Sequence, residues 1–181
     1  MKIRSAKGFT LIELLIVVAI IGIIAAIAVP GLLRARMAGN EASAIGSMRA
    51  INSAESTYSS SCGGGNYAQS LADLAKAPAG GGNTAFISPD LNTNGVVKAG
   101  YIVNVGPGAV TTPATVPANA CNAPTANAIP TYYAEAHPST VGSSGQRSFG
   151  TDHRATIFQN NAGTTFTAAT ITASLPAATL R

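Results

Sequence analysis

The start of the chain is dominated by a run of 20 residues without a charge, from Leu14 to Leu33. The run is continuously apolar, so a helix made from it must be buried in lipid or among other helices. At about 1.5 Å per residue this helix measures about 30 Å, the thickness of the hydrocarbon core of a bilayer. The pattern therefore predicts a membrane-spanning helix near the N terminus.

The following segment, 34–60, changes to a helical period. Its apolar side chains recur at steps of four, three, three and four and share one helical face: Ala44, Met48, Ile51, Ala54 and Tyr58. The charged residues of the segment lie mostly off that face: Arg36, Glu41, Arg49 and Glu55. Because serines and glycines end the pattern after residue 58, we expect one helix from about Phe9 to about Ser60, its second half packed on a sheet.

Beyond residue 60 the chain is rich in Gly, Pro, Ala and Thr and contains short β-type runs. Residues 66–76 fit a short helix and 77–95 a loop. Four runs predict strands: 101–105, 131–136, 145–149 and 154–158, with Asp152-His153 as the turn between the last two. Proline-rich residues 106–130 predict a long surface loop, and the tail from Asn160 an extra strand or a disordered segment. The predicted fold class is α+β, a long N-terminal helix packed on a small antiparallel β-sheet head.

The net charge of +4 is concentrated at one end of the chain. Lys2, Arg4 and Lys7 precede the apolar run, and without them eight basic residues face seven acidic ones. The body therefore lacks the basic stripe that nucleic-acid binding needs, and no nucleic-acid partner is predicted. The basic flank predicts that the N terminus is cytoplasmic and that everything after Arg36 lies outside.

A cleaved signal peptide and a plain membrane anchor are alternatives for the first segment. The apolar run exceeds the roughly 7–15 residues of a signal-peptide core, and no small-residue cleavage site follows it. Glu13 fits neither alternative, because a carboxylate in hydrocarbon costs about 2.5–3.5 kcal/mol on insertion scales. The glutamate therefore indicates a function.

The residues Lys7-Gly8-Phe9-Thr10-Leu11-Ile12-Glu13 resemble the class III signal of type IV pilins and type II secretion pseudopilins, and the resemblance covers about the first 60 residues. It implies that a prepilin peptidase/methyltransferase cuts between Gly8 and Phe9 and N-methylates Phe9. Glu13 then stands where the family has its glutamate and would pair with the Phe9 amine of a neighbouring subunit. Pairing with the amine of its own chain is the rival arrangement.

Two residues inside the apolar run are further assembly candidates. Pro30 removes a helical hydrogen bond, so we expect a kink near residues 26–30, and Gly22 is a second weak point. In filaments of the family the helix loosens between such a glycine and such a proline.

Cys62 and Cys121 lie in the part placed outside the cytoplasm, where an oxidising compartment favours a disulfide between them. A metal pair or redox couple is disfavoured because there is no Cys-x-x-Cys spacing. The isolated candidates for ligand binding are expected to be solvated residues: His137, His153, Lys76, Lys98 and Arg147. The chain lacks the signatures of a nucleophile and of a phosphate loop, so we predict no catalytic residue, metal or cofactor.

The resemblance implies a structural subunit that polymerises through its N-terminal helix into a type IV pilus-like filament. The predicted parts are a cleaved leader (1–8), a transmembrane and filament-core helix (9–33), its amphipathic continuation (34–60) and a β-rich head (61–181). The implied partners are like subunits, the prepilin peptidase, an inner-membrane assembly platform and, before assembly, membrane lipid.

The implied location is the bacterial inner membrane, crossed once, and then an extracellular pilus or periplasmic pseudopilus. A major pseudopilin of type II secretion is the nearest alternative, although the last 45 residues hold one acid, Asp152, where such proteins carry an acidic calcium loop. A monomeric membrane-anchored binding module, which needs no cleavage, is the alternative from another class.

Overall fold

The computed structural model describes residues 8–79 and 84–173, which form two compact units, one ending at Arg36 and one beginning at Met37. The described residues contain a long N-terminal helix and a five-stranded antiparallel sheet, so the predicted α+β class is confirmed. Lys2, Arg4 and Lys7 of the leader, residues 80–83 and residues 174–181 of the tail lie outside the described residues.

The first helix, α1, spans Leu11–Ser61, close to the limits expected from the sequence. At its end the backbone N–H groups of Cys62 and Gly63 both donate to the carbonyl of Tyr58. Gly64 then adopts a φ of 61°, which is the left-handed conformation that commonly ends a helix. Pro30 lies inside α1, and the kink near it stays a prediction.

The predicted apolar face of α1 is confirmed, because all five of its residues are buried: Ala44, Met48, Ile51, Ala54 and Tyr58. They pack against the inner face of the sheet, whose buried side chains include Tyr101, Val103, Ala134 and Phe149. Two of the charged residues placed off that face are also buried, so this part of the expectation is wrong. Glu41 is 8% exposed and Glu55 is not exposed at all.

The sheet has the order β1-β2-β3-β4-β5, and every neighbouring pair is antiparallel. Its strands are β1 Val96–Lys98, β2 Tyr101–Pro107, β3 Tyr132–Pro138, β4 Ser148–Asp152 and β5 Ile157–Asn160. The sequence predicted β2 to β5 but not β1. The two residues between β1 and β2, Ala99 and Gly100, both have positive φ (47° and 73°), which suits the tight turn of a two-residue hairpin.

The ends of two strands differ from the expectation. β4 begins at Ser148, so residues 145–147 belong to the preceding connection. Asp152 ends β4 and the turn to β5 follows it, with Ala155 at a φ of 57°. The predicted turn was therefore displaced by one residue.

Residues 106–130 are less free than the surface loop expected from their prolines. Their start belongs to β2, and isolated bridges pair Thr115 with Ala128 and Ile129 with Tyr67. Asn122 is buried, and its amide donates to the carbonyl of Asp73 at 2.7 Å. The short helix α2, Leu71–Leu74, to which Asp73 belongs, was expected within 66–76.

The described part of the tail contains a helix, α3, Ala168–Ala173, so the expectation of an extra strand or disorder there is wrong. The side chains of Phe166 and Ile171 pack with Phe158 and Tyr133 on the outer face of the sheet. Gly150 of β4 allows this approach, because a Cβ at that position would meet the Phe166 ring at 2.7 Å. The tail therefore covers part of the sheet.

Candidate processing and assembly site

The first unit presents its apolar side chains outward. From Leu14 to Leu33 the large apolar side chains are between 41% and 77% exposed. Within the described residues, α1 is the one helix long and apolar enough to cross a membrane. A helix with this surface needs lipid or other helices around it.

The N terminus of α1 is a capping box formed by Thr10 and Glu13. The Thr10 backbone N–H and hydroxyl both donate to Oε2 of Glu13, at 2.9 and 2.7 Å. In return the Glu13 N–H donates to Oγ1 of Thr10 at 3.3 Å. The sequence contains the signature of a capping box, Thr-x-x-Glu before an apolar run. The box was not predicted from the sequence, because Glu13 was considered there only as a partner for an amine.

This arrangement leaves the rest of the site open. Phe9 is 83% exposed, and Gly8 and Phe9 precede the first helical residue, Leu11. The bond predicted to be cut therefore lies in non-helical, exposed backbone. Every hydrogen bond that the described residues make to the Glu13 side chain goes to Oε2, so Oε1 is open to a further donor.

Gly22 and Pro30, the other predicted assembly residues, lie within α1. A Cβ added at Gly22 would meet no atom of another part of the described chain within 4 Å. Packing within the described residues therefore does not require a glycine at that position.

Cys62 and Cys121 are joined by a disulfide, with Cα atoms 4.8 Å apart and 59 positions between them in sequence. The bond connects the end of α1 to the segment 106–130. The neighbouring Asn122 is hydrogen-bonded to the carbonyls of Asp73 and Lys76, so disulfide and amide hold this segment against α2. The oxidation state in the native compartment stays a prediction.

A second connection joins α1 to the sheet through Glu41 and Arg147. Glu41 Oε1 accepts hydrogen bonds from the backbone N–H groups of Gln146 and Arg147, and Oε2 accepts two from the guanidinium at 2.9 and 2.7 Å. Burial by itself would raise the pKa of Glu41, but these hydrogen bonds outweigh it and hold the pKa below its usual value. The partners are more than 100 positions apart in sequence.

Glu55 is the most buried carboxyl of the described residues. Its Oε2 accepts a hydrogen bond from the Ala68 N–H at 2.9 Å, and its Oε1 has no partner. Burial raises the pKa of Glu55 well above its usual value, the Ala68 N–H offsets this only in part, and the Asp73 charge raises it further. Burial therefore favours the neutral form of this side chain.

Three residues expected to be isolated surface charges each form an ion pair. Arg147 binds Glu41, Lys76 lies 3.2 Å from Asp73, and Lys98 lies 2.6 Å from Asp90. They are therefore structural contacts of this chain and not a site for an acidic ligand.

The two histidines differ from each other. His137 is half-buried on β3, with its Nδ1 2.9 Å from Glu135 Oε2, so the expectation that it is a solvated loop residue is wrong. His153 is exposed in the turn after β4, as expected. Within residues 8–79 and 84–173, His, Cys, Asp and Glu form no group of three that could hold a metal.

The exposed apolar first part of α1 and the predicted processing site just before it form one continuous N-terminal segment. Residues 3–29 match the family model of the prokaryotic N-terminal methylation motif. The chain is 66% identical over 38 residues to the type IV wide pilus major component PilA4 of Thermus thermophilus, which covers 21% of this chain and 29% of the relative. It is 44% identical over 52 residues to the type IV major pilin protein PilA of Myxococcus xanthus, and this match covers 29% of the chain and 24% of the relative.

These matches confirm the resemblance found in the sequence: the N-terminal segment of the chain is similar to that of type IV pilins. The matched stretches span about a quarter of the length of both relatives. No solved structure matches the chain significantly.

Proposed function

We propose that this chain is the structural subunit of a type IV pilus-like filament. The observation that carries the proposal is the exposed apolar first part of α1, most of which lies within the match to the methylation motif. Such a surface is compatible with lipid before assembly and with a bundle of like helices afterwards. The two relatives are named as pilus components, which supports a filament of like subunits.

The processing step follows from the exposed segment before α1. A prepilin peptidase/methyltransferase would cut between Gly8 and Phe9 and methylate the new amine of Phe9. Mass spectrometry of the extracted protein should find a chain that begins at N-methylated Phe9. A chain that begins at Met1, or beyond Pro30, would contradict the proposal.

The assembly step uses Glu13. Thr10 occupies one carboxylate oxygen and so fixes the side chain, and the other oxygen receives the Phe9 amine of a neighbouring subunit. This pair would set the axial register of the filament, while the β-sheet unit forms its surface. The chain catalyses no reaction in this scheme, and its partners are like subunits, the peptidase and an inner-membrane assembly platform.

Electron microscopy of a deletion strain tests the filament directly. Loss of surface fibres, restored by the wild-type gene, is expected for an external pilus. Unchanged fibres together with lost protein secretion would instead indicate the pseudopilus alternative. Normal fibres and normal secretion in the deletion strain, together with a monomeric membrane protein in the wild type, would favour the anchored binding module.

A further inference from the structure

Two arginines next to the apolar segment form no ion pair with the other described residues. Arg34 and Arg36 follow directly after Leu33, where the exposed apolar side chains end, and both arginines are themselves exposed. None of the ion pairs among the described residues includes either arginine. The two guanidinium groups are therefore available to an anion.

The described residues after Arg36 have no free carboxylate to offer them. The next acid along the chain is Glu41, and Arg147 and its neighbouring backbone N–H groups occupy both of its oxygens. The remaining acids from residue 42 to residue 173 are each buried, or paired with a cation, or both: Glu55, Asp73, Asp90, Glu135 and Asp152. A second copy of the chain has the same commitments over these residues, which favours an anion from another kind of molecule.

The one remaining acid, Glu13, lies at the opposite end of the apolar segment. It is 21 positions before Arg34, which corresponds to about 32 Å along a helix. In a membrane-inserted subunit the segment between them fills the hydrocarbon core, so the arginines reach the headgroup layer of the outer leaflet while Glu13 lies at the inner one.

We propose that Arg34 and Arg36 bind the phosphate groups of anionic phospholipids in this outer leaflet and so fix the depth of the unassembled subunit. This inference rests on the proposed function, because it concerns the membrane-inserted stage. Guanidinium groups suit the task, since they bind phosphate oxygens in a bidentate way. The two arginines are about 200° apart around a helix, so they contact different headgroups.

Leader cleavage leaves more positive charge at the outer end of the apolar segment than at its cytoplasmic end. The leader carries Lys2, Arg4 and Lys7 on the cytoplasmic side, and cutting after Gly8 removes all three. Only the Phe9 amine then remains there, whereas the outer end keeps both arginines.

Lipid selectivity measured by fluorescence quenching tests the proposal. The chain has no tryptophan, so Leu33→Trp places a single reporter beside Arg34. The full-length processed chain with this reporter is inserted into phosphatidylcholine vesicles that contain a quarter of brominated phosphatidylglycerol or, in parallel, of brominated phosphatidylcholine. We expect the phosphatidylglycerol to be preferred next to the reporter, by about fivefold for each arginine, which corresponds to ~1 kcal/mol.

Matched variants distinguish the effect of Arg34 and Arg36 from that of positive charge elsewhere on the chain. Arg34→Gln with Arg36→Gln should abolish the preference, and Arg→Lys at both positions should keep most of it. Arg49→Gln is the control, because Arg49 is also exposed and outside every ion pair of the described residues but lies 13 positions beyond Arg36. It should leave the preference unchanged.

Three results would overturn the proposal. Equal quenching by both lipids, or a preference that survives the double Gln substitution, would show that the arginines do not select anionic headgroups. Binding of a short DNA duplex that the double substitution removes, without any lipid preference, would assign them to nucleic acid. Failure of both lipids to quench the reporter would instead show that the apolar segment does not insert, which contradicts the membrane stage of the proposed function itself.

Discussion

Replacing Glu55 by Gln should make the protein more stable at neutral pH. Gln keeps the shape of the side chain and its acceptor for the Ala68 N–H, but it cannot ionise. In the wild type, burial raises the pKa of Glu55 well above 4.5, its ordinary value. The folded state therefore binds the proton more tightly than the unfolded chain does, so the stabilising effect of that proton is complete below about pH 4.5 and is lost as the pH rises towards the folded pKa.

The size of the effect follows from proton linkage. At a pH between the pKa of Glu55 in the unfolded chain and its pKa in the folded protein, unfolding releases one proton. The free energy of unfolding therefore falls by about 1.4 kcal/mol for each pH unit in this range. For each pH unit above about 4.5 and below its folded pKa, the wild type should therefore lose ~1.4 kcal/mol relative to Glu55→Gln. For a chain of this length this corresponds to about 3–5 °C in Tm.

The assay is thermal unfolding of the full-length processed chain in detergent micelles, followed by the near-ultraviolet circular dichroism of its tyrosines. Tyr58 is a suitable reporter because it is fully buried three positions from Glu55. Glu41→Gln is the matched control, since its carboxyl lies on the same helix but has a lowered pKa. Parallel Tm–pH curves for wild type and Glu55→Gln would refute the reasoning, because they would show that Glu55 is ionised or accessible to solvent in the folded state.

Three other substitutions test separate contacts. Glu41→Gln should lower the free energy of unfolding by about 2–3 kcal/mol at neutral pH, because it weakens the contact with Arg147. This loss should shrink as the pH falls through the lowered pKa of Glu41, and an unchanged Tm at neutral pH would contradict the prediction. Cys62→Ser should cost up to roughly 4 kcal/mol, because the bond to Cys121 closes a loop of about 60 residues, and non-reducing peptide mapping that finds both thiols free would exclude the bond. Thr10→Val should lower filament yield without reducing membrane insertion, Thr10→Ser should restore it, and equal yields for all three would show that the capping box is dispensable.

The features that could be predicted from the sequence depend on local periodicity. The buried face of α1 repeats every three to four residues from Ala44 to Tyr58, and a helix imposes this period whatever it packs against. Strands β2 to β5 were found for a similar reason, since runs of β-branched and aromatic residues favour extended backbone. β1 has three residues, Val96–Lys98, which are too few to show alternation, and its turn uses Ala99-Gly100 in place of the commoner Asn-Gly.

Burial of charged residues depends on distant partners, and so it could not be found from spacing. Glu41 and Glu55 are polar positions beside an apolar stripe, and the usual interpretation places them in solvent. Glu41 is buried because Arg147, 106 positions later, brings matching donors to it. The helix α3 was missed for the same reason, because Phe166 and Ile171 of the tail are apolar positions that acquire a partner only when the sheet has formed.

At the start of α1 a single glutamate meets two separate spacing requirements. A capping box needs Thr and Glu three positions apart, and the resemblance to pilins implies a glutamate four positions after the new N terminus, Phe9. Both are met by the same glutamate, so identity at this position cannot separate a role in helix initiation from a role in assembly. The geometry accommodates both, because the contacts within the described residues go to Oε2 alone and leave Oε1 for the proposed donor from a neighbouring subunit. A carboxylate that already accepts hydrogen bonds at one oxygen costs less free energy to place in the membrane. Its other oxygen can still accept a hydrogen bond when a neighbouring subunit arrives.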